Sequence, residues 1–314
     1  MRFKKHDLGP EIPSTRSRPM PLMVPLTDAR LVLLLYLCGR ASAALSAVAG
    51  SSREKLVQGA WLDLRRNQAA HLREVEQSLE LGYERIQSLP ACATPNVRPF
   101  SCAASETGMG PACPFLPAES CGADEPADLV FETEEPIFSA DECRTIVKTT
   151  REHIASGGGG SGFTLADTNR NIAVADMPSV QGWLNSEGLP RVAALAGGCF
   201  GEGAIGRPED LLIYRALVVQ YDAAAGLTHQ EVHRDGSLVT CVVTLNPQDE
   251  YTGGGTYLEA LDAALAPPMG HAVLQASALR HAGHFIDSGE RWVMVLFLIA
   301  EEMRYGEHVR HLKA

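Results

Sequence analysis

The stretch that decides the fold is residues 211–246, LLIYRALVVQYDAAAGLTHQEVHRDGSLVTCVVTLN. It contains two apolar runs, Leu211–Tyr221 and Val239–Asn246, which flank a polar segment with turn residues. Runs of this kind, bounded by turn signals, are typical of β-strands. The same pattern predicts three further strands downstream, at Gly255–Leu258, Ala272–Gln275 and Trp292–Ile299. Several short strands in succession indicate a β-barrel or a double-sheet jelly roll.

Helices precede most of these strands. A strand-like run begins at Leu129, and Ser139 then opens a helix as its N-cap, with Glu142 as the capping-box partner. The helix is expected to end near Ala155, before four consecutive glycines that form a surface loop. A second helix is predicted at Ser179–Leu195 from its apolar positions. The predicted fold class is therefore α+β, with a double-stranded β-helix (jelly-roll) core and helices packed outside it.

A metal site is predicted at His233, Asp235 and His281. In an extended segment, residues two apart face the same way, so His233 and Asp235 can approach one ion together. The third ligand must come from elsewhere in the chain, and His281 follows Asp235 by 46 positions. Two histidines and one carboxylate form the facial triad of non-haem Fe(II), which leaves positions open for a cosubstrate and dioxygen.

Three nearby histidines are rival ligands. If His284 were the third ligand in place of His281, the interval to the next arginine, Arg291, would be seven residues. His229 and His233 lie four apart, but the glutamate between them is one position late for a zinc protease motif. His271 follows a glycine at a strand entry and is predicted to lie on the surface.

Arg291 lies ten residues beyond His281, on the last predicted strand. A buried guanidinium that faces an iron site requires an acid as its partner, and the distal carboxylate of 2-oxoglutarate can be held by two parallel hydrogen bonds. The alternative is a surface ion pair of Arg291 with Glu290 or Asp287.

Six short motifs occur in a fixed order along the chain: Val219-Gln-Tyr-Asp222, His233-Arg-Asp235, Val242-Val-Thr-Leu-Asn246, Gly253-Gly-Gly-Thr256, His281-Ala-Gly283 and Ser288-Gly-Glu-Arg291. As an ordered series they resemble the prolyl 4-hydroxylase-like branch of the 2-oxoglutarate/Fe(II)-dependent dioxygenases. The resemblance covers about residues 129–301 and is most specific over Tyr214–Ile299. Nothing before about Asp128 takes part in it.

The resemblance implies that His233, Asp235 and His281 bind iron and that Arg291 binds the C5 carboxylate of 2-oxoglutarate. It also implies that Tyr221 lies beside the cosubstrate.

At a position where some relatives have a second cosubstrate-binding residue, this chain has Thr244, and Thr240 is an alternative donor four residues earlier. The glycines at 253–255 are interpreted as structural, at a bulge or a close backbone approach.

The implied activity is hydroxylation of a C–H bond, with peptidyl proline as the leading substrate and with conversion of 2-oxoglutarate and O2 to succinate and CO2. Ascorbate is an implied cofactor. Three alternatives remain: an oxygenase acting on a small molecule, a catalytically silent jelly-roll binding module, and a mononuclear metal enzyme that does not use 2-oxoglutarate. The formal net charge of −11 and the lack of basic clusters argue against a nucleic-acid partner.

The N-terminal part of the chain is expected to form three segments before the dioxygenase domain (129–305) and a short tail (306–314). Residues 1–50 resemble a signal peptide or signal anchor, because basic residues precede the short apolar run Leu31–Cys38. This predicts the lumen of the endoplasmic reticulum or Golgi; an organelle transit peptide or a cytoplasmic protein with a disordered leader is the alternative.

Residues 51–89 are predicted to be a long amphipathic helix, which either packs on its own domain or pairs in a homodimer. Residues 90–128 read as a linker rich in proline and cysteine. Its four cysteines, Cys92, Cys102, Cys113 and Cys121, allow two disulfides in any of three connectivities if the chain is secreted.

Overall fold

The computed structural model of the protein describes residues 95–102, 127–158, 168–201, 205, 207 and 211–300. The predicted leader, amphipathic helix and tail lie outside these residues, as do Cys92, Cys113 and Cys121. The predictions made for them therefore stay predictions. Among the residues that the structure describes, no helix is both long and apolar enough to cross a membrane.

The described residues form twelve strands and three α-helices. The helices are α1 (Ala140–Ala155), α2 (Pro178–Trp183) and α3 (Leu189–Phe200). The strands are β1 (Val97–Cys102), β2 (Ala127–Thr133), β3 (Arg170–Ala173), β4 (Leu211–Asp222), β5 (Gln230–His233), β6 (Val239–Thr244), β7 (Tyr251–Gly253), β8 (Thr256–Leu258), β9 (Ala263–Leu265), β10 (Ala272–Ala276), β11 (His281–Gly283) and β12 (Ile286–Ala300).

The strands pair in two antiparallel sheets. The larger sheet has the order β1-β2-β10-β6-β12-β4-β3, with β7 beside β12, and the smaller sheet has the order β5-β11-β8-β9. Antiparallel strands arranged in two sheets are the architecture of a jelly roll. The prediction of an α+β fold with a two-sheet core is thus confirmed.

The two faces of the larger sheet have different partners. One face packs in a large apolar core that includes α1 and α3, to which β6 contributes Cys241 and Val243. The other, which we call the inner face, carries a separate apolar cluster that includes Leu217, Val242 and Val293. Because both faces are covered, β4 and β6 are almost continuously buried and read as apolar runs rather than as an alternating pattern.

Two parts of the fold differ from the sequence prediction. The helix expected at Ser179–Leu195 consists of α2, a π-helical turn at Leu184–Gly188, and α3. Pro190, near the start of α3, has no backbone N–H. It therefore cannot donate the hydrogen bond that would continue a regular α-helix from α2 into α3. Within the expected linker, β1 pairs with β2 at the edge of the larger sheet, where Pro99 is tolerated.

Glu142 connects α1 to the next two helices. The predicted capping box is confirmed, since Ser139 accepts a hydrogen bond from the Glu142 N–H and the Glu142 carboxylate accepts one from the Ser139 N–H. The same carboxylate accepts two hydrogen bonds from Arg191 of α3, at 2.9 and 3.0 Å, and one from the Trp183 indole. Burial alone would raise the pKa of Glu142, but the hydrogen bonds from Arg191 and Ser139 outweigh it and lower the pKa from 4.5 to about 2.

We expect Glu142→Gln to lower the free energy of unfolding by about 1–3 kcal/mol at pH 7, because it removes a charge that Arg191 pairs with. Since the folded pKa lies below the unfolded value, the contribution is present above about pH 4.5 and is lost as the pH falls toward 2. Urea unfolding of both proteins between pH 7 and pH 3 checks this. The exposed Glu152→Gln on the same helix is the control, with an expected change below about 0.5 kcal/mol. A difference that does not shrink on acidification contradicts the assignment.

Candidate metal centre

The structure brings His233, Asp235 and His281 together. One ligand atom from each lies within 4.8 Å of the others. The Nε2 atom of His233 is 3.4 Å from Asp235 Oδ1, and the Nε2 atom of His281 is 3.2 Å from Asp235 Oδ2. Asp235 and His281 are buried and His233 is partly exposed, so the cluster lies at the edge of the protein interior.

The smaller sheet positions the two histidines. His233 ends β5 and His281 begins β11, and the two residues lie directly opposite each other in the antiparallel ladder. Opposed residues of a ladder project from the same face, which explains the 4.4 Å separation of the two ring centroids. The Nδ1 atom of each ring is hydrogen-bonded to a backbone carbonyl, of Glu231 and Leu279 respectively. These bonds fix the ring orientations and direct both Nε2 atoms at Asp235.

The electrostatics of the cluster keep Asp235 ionised. Burial raises the pKa of this carboxyl, but the charge of His281 and the hydrogen bonds from His233 and His281 outweigh burial and lower the pKa. Burial lowers the pKa of His233, and the hydrogen bond and charge of Asp235 outweigh this and raise it. An ionised carboxylate is the form that binds a metal ion.

A network of hydroxyls holds Asp235 from behind. The Thr240 hydroxyl donates to Asp235 Oδ2 at 2.6 Å. It also lies 2.8 Å from the hydroxyl of Ser277, which is 2.6 Å from that of Ser237. Thr240 was a candidate for cosubstrate binding, but the structure commits its proton to Asp235. Thr240 therefore positions Asp235, a candidate metal ligand.

Arg291 lies on the inner face of the larger sheet and is only 2% exposed. It is paired in register with Tyr221, and its guanidinium carbon lies 5.2 Å from the centre of the Tyr221 ring. No carboxylate of the described residues forms an ion pair with Arg291, and its Nε atom has no hydrogen-bond partner there. Glu290 pairs with Arg151 at 2.7 Å instead. The surface ion pair considered for Arg291 is thus wrong.

Two glycines allow this packing. Gly254 has a φ of +77°, and a Cβ atom there would lie 3.0 Å from the Cδ of Arg291. A Cβ at Gly283 would overlap the Tyr221 hydroxyl. Gly283 is two residues from His281, about 7 Å along an extended strand, so the Tyr221–Arg291 pair lies close to the metal cluster. Burial raises the pKa of Tyr221, against the opposing charge of Arg291.

Thr244 lies near this pair. It is 2% exposed and is opposite Val293 on the inner face, two positions along β12 from Arg291. The structure thus brings Tyr221, Arg291 and Thr244 to one region of the inner face, whereas Thr240 lies beside Asp235.

The rival histidines lie outside the cluster. His284 is exposed, and His229 stacks on Phe285 with 3.9 Å between ring centroids. His271 is partly buried rather than on the surface, because its Nδ1 bonds to the carbonyl of Thr133 at 3.0 Å. Sequence reasoning missed the supporting role of Ser277, since no spacing rule links a serine to a carboxylate 42 positions earlier.

No family model matches this chain, and no curated protein matches it. Several solved structures are similar to it. An oxidoreductase of the 2OG-Fe(II) oxygenase family from Burkholderia pseudomallei is 16% identical, with a TM-score of 0.40 over 54% of this chain and 84% of that one. A viral collagen prolyl hydroxylase from Paramecium Bursaria Chlorella virus-1 is 15% identical, with a TM-score of 0.34 over 55% of this chain and 96% of that one.

A third structure is the non-haem α-ketoglutarate-dependent epimerase from nogalamycin biosynthesis. It is 13% identical, with a TM-score of 0.43 over 55% of this chain and 78% of that one. Identities and TM-scores this low do not assign a function. The function is therefore inferred from the side chains of the site.

We expect His281→Ala to weaken binding of Fe(II) by more than about 100-fold. Removal of a residue that only hydrogen-bonds a metal ligand costs up to about 100-fold, and removal of the ligand itself should cost more. His284→Ala, three residues on and exposed, is the matched control and should bind Fe(II) like the wild type. Anaerobic calorimetry measures both affinities, and far-UV circular dichroism checks that both variants are folded. Equal loss in the two variants, or loss only in His284→Ala, contradicts the assigned cluster.

Thr240→Val should weaken Fe(II) binding by about 10–100-fold, because Asp235 loses the hydroxyl that orients it. Thr252→Val, an exposed threonine of β7, is the control and should leave the affinity unchanged. The same calorimetric titration distinguishes the two variants. An unaltered affinity in Thr240→Val would mean that the hydrogen bond does not position Asp235.

Proposed function

We propose that this protein is an Fe(II)- and 2-oxoglutarate-dependent dioxygenase whose iron ligands are His233, Asp235 and His281. The donor set supports iron, because two imidazoles and one carboxylate on one side of an ion suit non-haem Fe(II). When bound, iron and 2-oxoglutarate would activate O2, release succinate and CO2, and transfer oxygen to a C–H bond of the substrate. The protein itself orients the ligands through Thr240 and the two carbonyl-bonded imidazoles.

The observation that carries the proposal is the buried positive charge of Arg291. A buried cation without an anionic partner is strongly destabilising, so it indicates an acidic ligand. A dicarboxylate that chelates the metal at one end can present its other carboxylate to Arg291 and the neighbouring Tyr221. A silent binding module, or a metal enzyme that does not use 2-oxoglutarate, would not require a buried and unpaired arginine at position 291.

For the substrate we propose a peptidyl proline, with ascorbate as the reductant that restores oxidised iron. Val295 and Phe297 of β12 are partly exposed on the inner face. Because β12 is a central strand of the sheet, this exposure is on the face of the sheet and not at an open edge. These apolar side chains suit an apolar ring near the metal. The predicted leader supports a secretory lumen as the compartment, where proline-rich proteins are available as substrates.

The test is succinate release by the full chain with Fe(II), 2-oxoglutarate and ascorbate, with and without a panel of proline-containing peptides. Peptide-stimulated succinate supports a peptidyl substrate, and succinate without stimulation indicates a small molecule. Absence of succinate from folded, iron-bound protein overturns the proposal and favours the binding module.

In the same assay, Arg291→Ala should raise the concentration of 2-oxoglutarate needed for half-maximal rate by at least about 30-fold. This factor is the smallest loss of affinity expected when one member of a buried charge pair is removed. Arg280→Ala, which removes an exposed arginine paired with Glu259, should stay within about twofold of the wild type. An unchanged requirement in Arg291→Ala would show that 2-oxoglutarate is bound elsewhere.

A further inference from the structure

Gln230 of β5 lies beside the candidate metal cluster and has no role in the function proposed above. Its Nε2 atom is 3.4 Å from the Nε2 atom of His233, the imidazole nitrogen that is directed at Asp235. Gln230 is partly exposed, and 16% of the His233 side chain is accessible. The carboxamide therefore lies next to a candidate metal ligand, on a side of the cluster that solvent reaches.

An irregularity in the strand pairing turns Gln230 toward the cluster. The two steps from His281 to Gly283 on β11 are matched by three steps on β5, from His233 back to Gln230. One extra residue of this kind is a β-bulge. The two residues of β5 inside the bulge are exposed, whereas Gln230 and His233 on either side of it are partly buried. Gln230 and His233 thus share one face of the smaller sheet, although a spacing of three would separate them in a regular strand.

The same face leads to the proposed anchor of the cosubstrate. Gln230 lies opposite Gly283, and opposed residues project from one face with about 5 Å between their Cβ positions. A Cβ atom at Gly283 would overlap the hydroxyl of Tyr221, so this hydroxyl lies close to the start of the Gln230 side chain. The ring of Tyr221 in turn contacts the guanidinium of Arg291. The side chain of Gln230 therefore spans the interval between the Tyr221–Arg291 pair and His233.

The hydrogen bond that Gln230 makes is one that metal binding would break. The Nδ1 atom of His233 carries a proton, because it bonds the carbonyl of Glu231 at 2.7 Å. In the neutral imidazole the Nε2 atom then has the lone pair, and the Gln230 amide donates to it. Coordination of a metal uses this lone pair. The carbonyl of Glu231 already orients the ring, so the freed amide N–H is available for another acceptor beside the metal.

The position of Gln230 indicates which acceptor this is. A 2-oxo acid that chelates a metal brings carboxylate and keto oxygens to it, and both kinds of oxygen accept hydrogen bonds. A neutral amide donor suits such an acid, because a hydrogen bond to a carboxylate is stronger than one between neutral groups. The interval between Arg291 and the cluster is also the one that a dicarboxylate bound at both places must cross. A ligand oxygen at the metal end of this interval lies within reach of Gln230.

We propose that Gln230 is a cosubstrate-binding residue whose amide N–H donates to the carboxylate at the chelating end of the 2-oxo acid. The inference rests on the proposed function, because it takes a 2-oxo acid as the ligand and Arg291 as its distal anchor. Recognition is then divided between two places. Arg291 and Tyr221 select the distal carboxylate, and Gln230 holds the end that all 2-oxo acids have in common.

Binding of two acids is measured by calorimetry on the full chain loaded with Mn(II), under exclusion of oxygen so that no turnover occurs. The acids are 2-oxoglutarate and pyruvate, which has the 2-oxo acid end but no distal carboxylate. Gln230→Met is unbranched and of similar length, and it should weaken both acids by about 10–100-fold, the loss of one hydrogen bond to a charged group. Arg291→Ala should weaken 2-oxoglutarate only. Gln248→Met, the same substitution at an exposed glutamine, should change neither affinity.

Titration of Mn(II) without an acid separates ligand binding from structural support of His233. Gln230→Met should bind Mn(II) at least as tightly as the wild type, because the amide no longer competes for the imidazole lone pair. A residue that only positions a metal ligand would instead lower the metal affinity by about 10–100-fold when it is replaced. Gln230→Glu is a second variant, which keeps the shape but presents a carboxylate, and it should weaken both acids further than Gln230→Met. Far-UV circular dichroism checks that both variants are folded.

Three outcomes overturn the inference: unchanged affinity of Gln230→Met for both acids, a loss for 2-oxoglutarate that pyruvate does not share, or a fall in Mn(II) affinity with no change in acid binding. The readout does not depend on succinate. Acid binding that requires Gln230, in a protein that releases no succinate, would support this contact and refute the oxygenase. Succinate release together with full acid affinity in Gln230→Met would refute the contact and leave the oxygenase standing.

Discussion

The pairing of β5 with β11 is the constraint on which the site depends. It sets His281 directly opposite His233, and both rings then point to the same side of the smaller sheet. Because side chains alternate along a strand, a slip of one residue would turn one imidazole to the opposite face. The carbonyl bonds to both Nδ1 atoms fix the ring orientations, and the backbone bond from Asp235 to Ser277 joins the segment after β5 to the segment before β11. The geometry of the candidate metal site is thus determined by strand pairing as well as by the three residues themselves.

The inner face divides its polar groups between two ends. At one end, Arg291 and Tyr221 lie under closely packed glycines, and at the other, Thr240 donates a hydrogen bond to Asp235. Apolar side chains such as Val242 and Val293 separate the ends. The unpaired charge of Arg291 destabilises the free protein, and the large core on the opposite face offsets this. Groups that weaken folding in this way are expected where a ligand completes them.

The sequence predicted the parts of the fold whose signals are local. The long strands β4, β6 and β12 were visible as apolar runs, and Ser139 with Glu142 marked the start of α1. Strands of three or four residues, among them β5 and β11, are too short to show a periodicity, although they carry two of the candidate metal ligands.

The clustering of His233, Asp235 and His281 and the burial of Arg291 were predictable because their spacing along the chain was recognisable. The site was not predictable where the function of a residue depends on its neighbour across the sheet. Thr240 was considered as an alternative cosubstrate donor because it lies on the strand that follows His233-Arg-Asp235, but its hydroxyl bonds the acceptor that the fold places beside it, which is Asp235.

The position of β12 in the larger sheet has a consequence for local opening. β12 is hydrogen-bonded to β4 along one edge and to β6 along the other, whereas β5 lies at the edge of the smaller sheet. Backbone amides between two strands exchange with solvent mainly through global unfolding, while edge strands open at lower free energy. Amides of β12 from Val293 to Leu298, just beyond Arg291, will therefore exchange slowly and those around His233 faster. Under the proposed function, a metal ion would enter or leave through opening of β5 while β12, which carries Arg291, stays folded.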